Sequence, residues 1–195
     1  MMRRPRAAPP RMGVTVGPTQ INGLPAHALL VHVVVVLVPL AALLVVLSAV
    51  WPAARRRLGV LTPSVALVAL VSVPLTTHAG EWLEARVPSD PLVRRHTELG
   101  DGLLPWAIGL FVLAAAVWWW GRRAEVGGST DGGSGGGGTH AAARPSGLVV
   151  VIALAVLSVV VAVGSVVQIY RIGDSGAKAV WHDSFNPNPG PGEHG

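Results

Sequence analysis

Four stretches of this sequence run for eighteen or more residues without a formally charged side chain: about His27–Val50, Leu58–Ala79, Leu103–Trp120 and Gly147–Tyr170. A bilayer crossing takes roughly 20 apolar residues at 1.5 Å each. Inside lipid every backbone N–H and C=O has to be satisfied within the segment, which leaves helices and closed barrels. The Val-rich run of the first stretch would favour a strand in water. Its length and lack of charge make it a membrane helix instead. The composition agrees: 51% of the 195 residues are apolar and 13% charged, against about 25% charged in soluble domains. The expected fold is therefore all-α, a bundle of four transmembrane helices. A short amphipathic segment joins helices two and three, because Asp90 is a good N-cap and Pro91 a good first helical residue for a surface helix over about 91–99.

The flanks differ in kind. Residues 1–22 are polar, Pro-rich and Arg-containing, and are expected to be disordered. They resemble a signal peptide only superficially, since the apolar run that follows is too long and lacks an A-x-A-like cleavage site. Residues 126–146 form a Gly/Ser-rich linker, and 183–195 a second disordered stretch. The membrane domain is thus placed at 23–182. The glycine run is no phosphate loop, because it lacks the lysine and the strand-to-helix setting.

The net charge of +5 does not indicate a nucleic-acid partner. Its arginines cluster beside apolar runs, where membrane proteins carry topology charges, and no basic stripe is interleaved with aromatics. The partner implied is the lipid bilayer; protein partners are not legible. Trp118, Trp119 and Trp120 followed by Arg122 and Arg123 form an interfacial belt, as do Tyr170 and Arg171. Four spans put both termini and residues 80–102 on one side, side A, and the 51–58 loop and the Gly-rich linker on side B. Side B holds Arg55, Arg56, Arg57, Arg122, Arg123 and Arg144. Side A holds Arg86, Arg94, Arg95, Arg171 and Lys178 near the spans, with Arg3, Arg4, Arg6 and Arg11 remote from them; starts at Met2 or Met12 would remove some or all of those four. The tight Arg55–Arg57 cluster makes side B the cytoplasmic one in a multi-pass plasma-membrane protein, with both termini external.

With no cysteine in the chain, disulfides, thiolate metal sites, iron–sulfur clusters and covalently attached haem are excluded. The ionisable residues that remain gather at side A: His27, His32, His78 and His96, with Glu81, Glu98, Asp101, Asp174 and Ser175 around them. Ionisable groups at membrane depth are functional candidates. His32 lies deepest, one to two turns inside the apolar run, and needs a partner there. It is about 140° around the helix from His27, so the two cannot share one ion. His78 and Glu81, three apart, share a face. The bland reading has these histidines holding helix ends by hydrogen bonds. The sharper one is a single b-type haem near side A, held by His32 with His78 or His96. A divalent metal in the His/Glu cluster and a proton or ion path are further alternatives. The ion path lacks a relay, since the side B half of every span is free of ionisable groups. A small transporter would show internal repeats, and spans two and three show no self-similarity. Ser175 in Gly-Asp-Ser-Gly superficially resembles a serine-protease nucleophile, but the two β-barrels and the upstream His/Asp pair are missing. Catalytic residues are not expected.

Several segments together carry a family likeness: Gly23–His27, Val31-His32, Pro39, the Trp51-Pro52 turn with its arginines, Arg95–Asp101 and Arg171–Trp181. In this order, at span ends, they resemble the bacterial membrane proteins grouped as domain of unknown function 2231, the actinobacterial branch most closely, over roughly residues 20–182. The resemblance implies a four-helix integral membrane protein and carries no activity with it. It also implies that some relatives have His where this chain has Asp174, which weakens a ligand role for that segment. Gly173, Gly176 and Ala177 are small enough for close helix contact.

Overall fold

The computed structural model describes residues 20–21, 24–129 and 145–182. Two short strands, β1 (Gln20–Ile21) and β2 (Leu24–Pro25), pair antiparallel ahead of the first helix. Six helices follow: α1 (Ala26–Val50), α2 (Pro52–Leu58), α3 (Leu61–Glu84), α4 (Pro91–Asp101), α5 (Leu104–Ser129) and α6 (Pro145–Trp181). Four of them, α1, α3, α5 and α6, are long and apolar enough to cross a membrane. The fold is all-α, as the uncharged runs require. Residues 1–19, 22–23, 130–144 and 183–195, on which most of the disorder and linker expectations fall, lie outside the described residues; at the ends of the expected linker over 126–146, α5 continues to Ser129 and α6 begins at Pro145.

Local chemistry sets the boundaries. Trp51, extended at φ −122°, ends α1, and Pro52 starts α2 where its missing N–H is not needed. The turn with three arginines is thus a short helix. Gly59 stops it at φ +48°, which only glycine adopts without strain. Asp90 caps α4 as its sequence suggests: its carboxylate accepts the Leu92 N–H at 2.6 Å, with Pro91 at the first position. The last helix is longer than the fourth apolar run, continuing from Tyr170 through the polar residues to Trp181.

In the bundle α1 packs on α3, α5 and α6, and α5 packs on α3 and α6. Helices α1 and α5 therefore touch across the bundle, with α3 on one side and α6 on the other. The core is a small-residue seam: Val34, Val38, Ala41, Ala42 and Val45 of α1, Ala66, Ala69 and Val73 of α3, Ala107, Leu110 and Ala114 of α5, and Ala162 of α6. Lipid tails are as apolar as leucine, so close approach of small residues, rather than hydrophobic exclusion, holds such helices together. Buried hydroxyls add to it: Ser48 Oγ and Thr62 Oγ1 bond across α1 and α3 at 3.0 Å. At Gly164 helix α6 comes close against α5, and a Cβ there would overlap the Trp106 ring. Large apolar side chains such as Val36, Leu43, Val112, Ile152 and Val160 point outward and are exposed. An apolar belt on all four helices is the surface a bilayer covers. Arg122 and Arg123 stack on Trp118 and Trp119 at 5.2 and 4.9 Å from the ring centroids, the expected belt at one end.

Amphipathic α4 lies across the other end, against α6 and α3. It brings His96 to the bundle.

A histidine pair at one membrane face

His27 stands in the first turn of α1, half-buried against α3. Its Nδ1 is 3.0 Å from the Thr76 carbonyl oxygen. One turn further along α3 is Gly80, where a Cβ would come within 3.0 Å of the imidazole. The ring occupies the space that this glycine leaves. His96, half-buried on α4, is seated in the same way on α6. Its Nδ1 is 3.1 Å from the Ile172 carbonyl oxygen and 3.1 Å from Ser175 Oγ. Gly176, one turn beyond Ile172, would place a Cβ 3.0 Å from that ring.

The two seats share one design: a carbonyl at i, a glycine at i+4, and an imidazole delivered by an element earlier in the chain. Helices α1 and α3 at one seat and α4 and α6 at the other are packed neighbours in the bundle.

The two seats meet ring to ring. The His27 and His96 centroids are 6.2 Å apart with the planes at 85°. A carbonyl only accepts, so each Nδ1 carries the proton and donates it. Ser175 agrees with this: its own hydroxyl donates to the Ile172 carbonyl at 2.8 Å, so Oγ is left to accept from His96. In the neutral rings both Nε2 atoms then carry a lone pair.

The other candidates stand elsewhere. His32 is exposed, and its Nδ1 bonds to the Ala28 carbonyl of its own helix at 2.6 Å. The expected pairing of His32 with His78 or His96 is therefore replaced by His27 with His96. The polar atom of His32 finds its partner one turn back, so depth in the apolar run did not require a neighbour. His78 faces Glu81 at 3.7 Å, as their spacing suggested. Glu98 pairs with Arg94 at 3.7 Å and Asp174 with Lys178 at 2.7 Å, all exposed. Asp101 is exposed as well. Among the described residues no three His, Asp or Glu side chains converge as metal ligands. Of the small residues near Trp181, Gly176 makes the close contact; Gly173 has nothing within 4 Å. Sequence reasoning missed Thr76, Gly80 and Ile172. The one signal for them was a glycine in a helix.

A shallow cavity of about 90 Å³ lies between α4 and α6, with Ser175 in its wall, one residue from the His96 ring. Ligands of haem size need about 300 Å³ or more, so this space suits an ion or waters. The sequence model of a family described as predicted membrane proteins, DUF2231, matches residues 23–187, from the turn before His27 past Gly176. The chain belongs to the DUF2231 family. Membership and the four apolar helices make it an integral, multi-pass membrane protein. Both seats of the histidine pair fall inside the part that DUF2231 covers. No curated protein and no solved structure matches the chain.

Proposed function

We propose that this is a non-enzymatic plasma-membrane protein that works as a binding protein, with His27 and His96 at side A as its ligand centre. One observation carries the reading: two imidazoles, one from α1 and one from α4, are each fixed through Nδ1 and stand 6.2 Å apart, edge to face, and among the described residues no hydrogen bond engages either Nε2. A binding role also fits Ser175, whose proton is held by a backbone carbonyl rather than by a base. Glu81, Glu98, Asp101 and Asp174 supply the polar rim.

Nitrogen-15 spectra of the histidine-labelled protein in nanodiscs test this directly. The expected result is a protonated Nδ1 and a lone-pair Nε2 at both His27 and His96. Protonation on Nε2 of either ring would remove the ligand centre.

The orientation belongs to the same proposal. The Arg55–Arg57 and Arg122–Arg123 clusters flank short connections at the end away from the pair, which favours a cytoplasmic side B. A reporter fused at residue 130 is expected to read cytoplasmic and one fused after Trp181 external. The reverse pattern would place the histidine pair on the cytoplasmic side.

A further inference from the structure

The structure points to a metal site: we propose that His27 and His96 together hold one divalent late first-row cation, copper(II) most tightly and zinc(II) next, through their Nε2 atoms. This rests on the reading of the pair as a ligand centre and names the ligand's class.

Three observations converge on it. The first is the outer contacts. Histidines that bind metal almost always donate the other ring N–H to a carbonyl, carboxylate or water, which fixes the tautomer and aims the lone pair. Both rings do so here, to Thr76 and Ile172. The second is the spacing. With nitrogen–metal bonds of about 2.0–2.1 Å, two imidazoles on one ion have centroids about 5 Å apart at a tetrahedral angle and about 6.4 Å apart when opposed. The observed separation is 6.2 Å. The third is rigidity. Each ring lies against a helix glycine, where a Cβ would come to 3.0 Å, and is held through Nδ1, so neither must be ordered when an ion arrives.

The donor set selects the ion. Two neutral nitrogens without a nearby free carboxylate disfavour calcium and magnesium, which take oxygen. Imidazole suits copper, nickel and zinc, and the Irving–Williams order ranks copper(II) first. Asp174 and Glu98 are engaged by Lys178 and Arg94, so water fills the remaining positions. An ion there ties α1 and α3 to α4 and α6.

The test uses the full chain in detergent, purified on a tag without histidine and stripped with chelator. Copper(II) and zinc(II) are titrated by calorimetry, and the copper form is examined by electron paramagnetic resonance. One equivalent is expected, with copper signals split by two nitrogens. His27→Ala and His96→Ala should each weaken binding by about 100-fold or more, above the 10–100-fold typical of outer contacts. His32→Ala and His78→Ala should leave it unchanged. His27→Gln and His96→Gln, which keep a polar side chain on each seat, guard against loss of the fold and should weaken binding equally. Binding that survives both the His27 and His96 variants would overturn the proposal. So would a stripped protein that takes no metal although both Nε2 atoms are unprotonated: the pair would then be bridged by water, and the ligand-centre reading would stand without the metal. Protonated Nε2 atoms would sink both.

Discussion

Gly164→Ala is expected to be the most damaging alanine substitution among the described glycines. The new Cβ would overlap three atoms of the Trp106 ring. These are atoms in the body of an indole, not the end of a flexible chain, so the ring or α6 itself must move. Overpacking of a well-packed core costs about 1–3 kcal/mol, occasionally more, and the overlap with the ring puts this case at the upper end. Loss of close approach is also what weakens association between membrane helices. Thermal unfolding in detergent, followed by circular dichroism and by the fraction remaining monodisperse, should show a large fall for Gly164→Ala. Gly173→Ala on the same helix should show almost none, because nothing lies within 4 Å of that position. The double variant Trp106→Ala/Gly164→Ala should cost less than the two singles combined, since the first change makes room for the second. Equal behaviour of Gly164→Ala and Gly173→Ala would mean that α5 and α6 do not meet through Trp106.

The fold was legible because lipid leaves few choices. Uncharged runs as long as His27–Val50 have one stable conformation in a bilayer, whatever the strand preference of valine. The helix at Pro91 was legible for a different reason: Asp90 and Pro91 specify a start by their own chemistry, and the carboxylate caps Leu92 as that chemistry dictates. Helix α2 was not, because seven residues between two spans carry no periodic signal. The length of α6 was missed because the apolar run stops at Tyr170, whereas the helix continues through residues that pack against α4.

The site was legible as a region and not as a pair. Topology alone gathers His27, His78 and His96 at one membrane face. Which imidazole meets which depends on rotation about each helix, and the hydrophobic pattern fixes that poorly when a helix is apolar on all sides. His32 shows the limit. A histidine in an apolar run calls for a hydrogen bond, but the Ala28 carbonyl one turn back supplies it. The repeated seat was hidden for a related reason. Thr76 and Ile172 contribute backbone carbonyls, which any residue supplies, so only Gly80 and Gly176 leave a trace in the residues. That trace is too slight to reveal that the seat occurs twice.

The pairing of His27 with His96 is the claim on which the rest depends, and proximity is its most direct test. The chain has no cysteine, so thiols can be introduced without background. His27→Cys/His96→Cys in native membranes, treated with a short bifunctional thiol reagent and digested for mass spectrometry, should give a cross-link joining the start of α1 to α4 in most molecules. His32→Cys/His96→Cys, treated alike, should stay unlinked, because residue 32 is exposed and bonded to its own helix. Cross-linking of the second pair as efficient as the first would contradict the account and return His32 to the site.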